Sequence, residues 1–278
     1  GPRCRRKAPK MKLRQNRGED EMKAHKSRLG RMALLSMAML AGCDVDLADP
    51  GYGHDIDIDI DVDPPRYAAS EPFSLSVPVA GQARLRLEGV NGEVWLRGSD
   101  APGPILITGH KRVRSESQAD ADAHLGDVQV QVVEGADEIL VATDQPRTGN
   151  RSYQVDYQIT LPRGFHVEVE HVNGAVKLEG LESGAEVDLA NGLITGDLTL
   201  PPGGTIDLYT TNGEIELEVQ RDASAKLSAT VSNGTITTSN LTLTGQVSFP
   251  RSLTGTLGEG DGTIRLQLVN GDIRVRGR

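Results

Sequence analysis

Between His171 and Gly180 the chain reads His-Val-Asn-Gly-Ala-Val-Lys-Leu-Glu-Gly, and its neighbourhood decides the fold. Asn-Gly recurs as Asn91-Gly92, Asn173-Gly174, Asn191-Gly192, Asn212-Gly213, Asn233-Gly234 and Asn270-Gly271, and the four central pairs are 18, 21 and 21 residues apart. Six residues before each Asn stand Leu85, Val167, Ala185, Ile206, Leu227 and Ile264. Four before stand Leu87, Val169, Val187, Leu208, Ala229 and Leu266. Three after, every residue is β-branched: Val94, Val176, Ile194, Ile215, Ile236 and Ile273. The residues between are mostly polar, so each unit predicts a strand, a turn where glycine supplies positive φ, and a second strand that continues the buried face.

Two all-β architectures satisfy this register. In a β-hairpin meander, a type I′ turn at Asn-Gly pairs the residue two before Asn with the one three after. In a β-solenoid, Asn-Gly is a corner and successive units stack. The same corner every 18–21 residues is what stacked coils require, because they share a core that no single unit closes.

The unit (Val/Thr)-x-Asn-Gly-x-(Ile/Val)-x-(Leu/Val)-x-Gly also appears in Gly89-Val-Asn-Gly-Glu-Val-Trp-Leu-Arg-Gly98 and Val269-Asn-Gly-Asp-Ile-Arg-Val-Arg-Gly277. It resembles the bacterial adhesin-like β-strand-repeat domain family of unknown function, related to autotransporter adhesin head (GIN) domains. The resemblance implies a right-handed, single-stranded β-solenoid over residues 73–278, on an exported and often lipid-anchored protein, with no characterised activity. Residues 99–166 lack Asn-Gly and are expected to be an irregular insertion or a cap that shields the coil edges.

Ahead of the repeats lies an address. Residues 1–42 hold twelve Lys or Arg against three acids, and the basic Met22–Arg31 runs into the apolar Met32–Ala41. That is a lipoprotein signal-peptide profile with an expected start at Met22; its apolar run is too short to span a bilayer. Leu40-Ala41-Gly42-Cys43 resembles the lipobox, which implies a lipidated Cys43 as the first mature residue and a membrane as the first partner. Residues 43–72 follow as an acidic tether rich in Pro and Gly, including Asp55-Ile-Asp-Ile-Asp-Ile-Asp-Val-Asp63. The expected location is the cell envelope, at the periplasmic or outer surface.

The net charge of −9 averages two objects: with residues 1–42 removed, 18 basic and 36 acidic residues remain. An acidic body does not neutralise nucleic-acid phosphates, so nucleic acid is excluded as a partner. Two cysteines, Cys4 and Cys43, cannot form a zinc cluster, and no catalytic motif is present. Glu168, Glu186 and Asp207 stand five before Asn-Gly, while Glu170 and Asp188 stand three before. Stacked at ~4.8 Å, they would form outward carboxylate rows, either solvated or holding a cation, with Ca²⁺ the ion such oxygens suit. No other cofactor is expected. The leading expectation is a non-catalytic adhesive, binding or structural surface for an envelope protein or glycan. The alternatives are a calcium-dependent polysaccharide-active enzyme, with Lys177 or Arg163 as base, and an envelope-sensing module with a protein partner. His171 sits where several other units are apolar and is expected to be a core or turn residue and not a ligand or base.

Overall fold

Apolar residues alternating on both sides of each Asn-Gly pair build two strands that meet at a bend, and the bends stack. The structure, a computed structural model, describes residues 67–146 and 150–278. The leader 1–42, the lipobox Leu40 to Cys43 and the tether up to residue 66 lie outside the described residues. In chain order the strands are β1 (Tyr67–Val77), β2 (Arg84–Glu88), β3 (Val94–Ser99), β4 (Ile105–Ser115), β5 (Gln129–Glu134), β6 (Glu138–Asp144), β7 (Ser152–Pro162), β8 (His166–Asn173) and β9 (Val176–Leu181). There follow β10 (Ala185–Leu198), β11 (Thr205–Val219), β12 (Ala225–Asn233), β13 (Ile236–Ser239), β14 (Thr244–Phe249), β15 (Ser252–Leu257), β16 (Gly262–Asn270) and β17 (Ile273–Gly277). A short helix, α1 (Gln118–Ala123), follows β4; its N-cap Ser117 accepts from the Asp120 amide.

Each rung has a first arm before the corner and a second arm after it. Along the stack the rungs lie in the order β6–β7, β2–β3, β8–β9, β10, β11, β16–β17, β12–β13, every neighbour paired in parallel. β10 and β11 run through the corner unbroken. Parallel rungs are the solenoid solution and not the hairpin meander; among the described residues antiparallel pairs occur only towards the ends, in β1–β4–β7, β5–β6 and β12–β15–β14.

Stacking in strict sequence order holds only in the middle. Near one end β2–β3 lies inside β6–β7, and near the other β16–β17, the last rung in sequence, lies inside β12–β13. The chain's last strands thereby gain neighbours on both edges, and antiparallel strands take the ends instead.

The apolar positions of the repeat fill the space between the arms. Leu85, Leu87, Val94 and Leu96 of one rung and Ala185, Val187 and Ile194 of another are at most 1% exposed. Ile236 is only half-buried, because its rung is the last of the second arm. At the corners, glycine is required by both backbone and space. Gly213 has φ 142°, and a Cβ there would overlap the Gly192 carbonyl of the adjacent rung.

Two boundaries differ from expectation. The stretch 99–166 is not all insertion, since β6 stacks in parallel on β2 and β7 on β3 as the two arms of a rung, although no Asn-Gly stands between them; β4, α1 and β5 are the capping elements. β1 begins at Tyr67, inside the stretch 43–72 expected as tether, where eleven register pairs with β4 hold it.

Candidate functional site

The expected carboxylate rows form on the outer face of the first arm. Register places Arg86, Glu168, Glu186, Asp207 and Arg265 in one row, and Glu88, Glu170, Asp188 and Tyr209 in the next. β8, β10 and β11 bring the five predicted acids together, because each lies at the same offset from its Asn. Arginines close both ends of the first row. Arg86 Nη2 lies 2.7 Å from Glu170 Oε1 and 2.9 Å from Glu88 Oε1, and Arg86 Nη1 is 3.9 Å from Glu168 Oε1. At the far end Arg265 Nη1 donates to Asp207 Oδ2 at 2.8 Å. Glu168 is buried, 8% exposed. Burial, reinforced by Glu170, Glu186 and Asp207, pushes the Asp188 carboxyl above its usual range. Among the described residues, no group of three or more His, Cys, Asp or Glu side chains is arranged to hold a metal ion.

Counting only acids missed the two arginines, although Arg86 and Arg265 stand at the same offset, five before Asn91 and Asn270. Lys177, considered as a base, lies on the second arm away from the row. It pairs with Glu179 at 2.6 Å and sits 4.9 Å from the Trp95 ring centroid. Trp95 in turn donates through Nε1 to Glu179 at 2.9 Å. Arg163 is held by Asp100 at 2.7 Å and Glu182 at 3.1 Å. Neither is positioned over the carboxylate row.

The six corner asparagines align as a ladder. Asn173, Asn191, Asn212, Asn270 and Asn233 each donate Nδ2–H to the preceding Asn Oδ1 at 2.8–2.9 Å, and Asn91 donates to the Tyr153 carbonyl at 2.9 Å. The ladder runs one way, and it fixes the register of both outer faces. The second arm carries a matching charge pattern across β11 and β17. Arg274 pairs with Glu214 and with Glu216 at 3.1 Å, and Arg276 with Glu218 at 3.5 Å.

Of the two places expected for His171, core or turn, the structure gives the core: the residue is fully buried. Its Nε2–H is shared between the Gly92 and Asn173 carbonyls at 2.8 and 3.0 Å, and the missing side chain of Gly89 leaves room for the ring. Burial pushes its pKa below the ordinary 6.5. The imidazole is therefore neutral when folded, whereas the unfolded chain takes up a proton as pH falls below about 6.5. Stability is fully present above that pH and declines as pH falls from it towards the lowered folded value. His171→Leu, which copies Leu189 on the adjacent rung, is expected to flatten the denaturation midpoint through this range. It also costs about 1 kcal/mol at neutral pH through the lost hydrogen bond to the Gly92 carbonyl, while the Asn173 carbonyl keeps the Gly92 N–H. An unchanged slope in urea melts taken across that range would refute the assignment.

The family described as Toastrack DUF4097 matches residues 117–276. Among solved structures, a candidate cell adhesion protein from Clostridium sporogenes ATCC 15579 is 12% identical with a TM-score of 0.52, covering 76% of this chain and 100% of its own. A candidate adhesin from Bacteroides fragilis NCTC 9343 is 10% identical with a TM-score of 0.25, covering 77% and 99%. One from Parabacteroides merdae ATCC 43184 is 12% identical, also at 0.25, covering 77% and 97%. At these identities only the first likeness has weight, and it concerns the fold alone. No curated protein matches the chain.

Proposed function

The chain belongs to the Toastrack DUF4097 family, an adhesin-like β-repeat fold of unknown function, and from that premise we propose that it is a lipid-anchored cell-envelope protein whose solenoid is a non-catalytic adhesive surface. The observation that carries the reading is the outer face of the first arm. It holds acidic side chains in register across successive rungs, and the two arginines that end its first row, Arg86 and Arg265, are paired with the face's own carboxylates. A fixed, extended row of charge suits recognition of a repetitive cationic surface better than it suits a reaction, which needs groups converging on one point.

Anchoring rests on the sequence. Acyl chains on Cys43 contribute about 0.8 kcal/mol per buried CH₂, so two or three chains would hold the protein on a membrane, with the acidic stretch as spacer. Cys43→Ser is expected to leave an unprocessed precursor that no longer partitions into detergent; a mutant of mature size that still partitions would defeat the anchor.

For the surface, the test is binding of the protein to arrays of glycans and of basic envelope proteins. The Glu186→Lys/Asp188→Lys variant is expected to lose at least about tenfold in affinity for the captured ligand. Both acids lie on the outer face, and an unchanged thermal melt of the variant separates a loss of binding from a loss of fold. A ligand retained with full affinity by that variant would move the adhesive surface elsewhere.

A further inference from the structure

One end of the stack differs from everything else in the chain. From Leu227 to Pro250 there is no charged residue, in a protein that is 25% charged. This stretch supplies the outermost rung, β12–β13, apart from Ala225 and Lys226 at the start of β12, and the outer hairpin strand β14. Every residue of β14 is exposed, with Val247 at 49% and Phe249 at 65%. Strand edges are usually guarded by charge, proline, a bulge or a covering element; neither β13 nor β14 carries a charge or a proline, and the register shift of β14 lies before Val247, between it and Thr244. At the opposite end β1 carries Glu71, β5 carries Glu134, and the five-Asp segment 55–63 precedes β1 in sequence.

The uncharged end is also stepped. In the first arm β12 is followed outward by β15 and then β14, whereas among the described residues the second arm stops at β13. The step is two strands, about 10 Å. The apolar Leu241 and Leu243 cross it and pack on the core. Thr235 O accepts from Ile273 N at 2.9 Å. By the alternation of a parallel pair, the backbone N–H and C=O of Ile236 and Thr238 therefore point away from the stack.

We propose that this end is a self-association surface for a second copy of the same chain. A two-fold axis lets the two-strand overhang of each copy fill the two-strand recess of the other, with β14 of one copy along the β13 edge of its partner, twice. Charge selects the occupant. The body from residue 43 onward holds 36 acids against 18 bases, so copies repel one another except where both faces are neutral, and this end is the neutral face. An isologous joint of this kind also closes, consuming the four free edges of the two joined ends and leaving none there for a third copy. The inference is independent of the adhesive reading, because its readout is the mass of the protein alone.

The test is sedimentation velocity on the full chain in detergent over a wide concentration range. The expected species is a dimer. Thr237 and Val247 are both exposed, so Thr237→Lys and Val247→Glu should each weaken the dimer at least about tenfold by placing an unpaired charge in the joint, while the thermal melt of the dilute monomer stays unchanged. Combined in one chain, the two substitutions set the introduced ammonium of each copy beside the introduced carboxylate of the other, and dimerisation should return. A monomer at all concentrations, a dimer indifferent to the single variants, or a double variant that stays monomeric would each overturn the proposal; the last is what β14 against β14 would give.

Discussion

A chain ended at Leu257 is expected to lose cooperative folding, although only its last 21 residues are missing. Those residues are the rung β16–β17, which separates β11 from β12–β13. Without it β12 and β13 have no parallel neighbour, and a slot opens through the stack. Ile264, Leu266, Leu268, Ile273 and Val275 are at most 3% exposed. At about 1.5–3 kcal/mol each, their burial amounts to roughly 10 kcal/mol, as much as the whole net stability of a typical domain. The rung's arginines vanish too, including Arg278, whose Nε lies 2.6 Å from Asp197. A truncated chain that still melts in one sharp transition within about 5 °C of the intact protein would show that the inserted rung is dispensable.

The second large effect is expected from a single methyl group. Gly213→Ala places a Cβ inside the Gly192 carbonyl at φ 142°, so the clash and the backbone strain act together. The corner cannot yield locally, because Asn212 and Asn191 are joined at 2.8 Å and the strands on both sides are in register. We expect a loss of about 3–5 kcal/mol. Gly126→Ala, where nothing lies within 4 Å and φ is ordinary, should stay within about 1 kcal/mol of the parent. Urea melts of the two variants decide the matter, and equal midpoints would mean that the corners are not rigid.

The rungs were legible because a two-residue alternation reset by Asn-Gly leaves a mark at fixed offsets. Leu85, Val167 and Ile264 could be placed in the core by counting alone. The carboxylate row was legible for the same reason, since Glu168, Glu186 and Asp207 share an offset and stacking turns a shared offset into contact. β6–β7 was hidden because no Asn-Gly stands between Asp144 and Ser152 to mark where one arm gives way to the other. The exchange of rung order was hidden more deeply. Ile273 matches Ile215 and Ile236 equally well, so periodicity states what can stack but not which neighbour each rung takes. The charges agree with the insertion of β17 between β11 and β13: Arg274 and Arg276 answer Glu214, Glu216 and Glu218 of β11, where a β13 seated directly on β11 would offer only Thr237 and Ser239.

The asparagine ladder also bears on how the protein ages. Asn-Gly is the dipeptide in which the glycine nitrogen most readily attacks the side-chain amide carbon, expelling ammonia through a succinimide, so six copies would ordinarily be six chemical clocks. Here the reacting groups are tied down. Gly92, Gly174 and Gly271 donate their N–H to the Asn carbonyls of adjacent rungs at 2.9–3.0 Å, and each asparagine amide is fixed by donating its own hydrogen. The stack that needs Asn-Gly for its shape thereby shields it from its own chemistry. Gly234 belongs to the outermost rung, beyond which no rung lies among the described residues, and deamidation of the folded protein should begin at Asn233 and proceed inward.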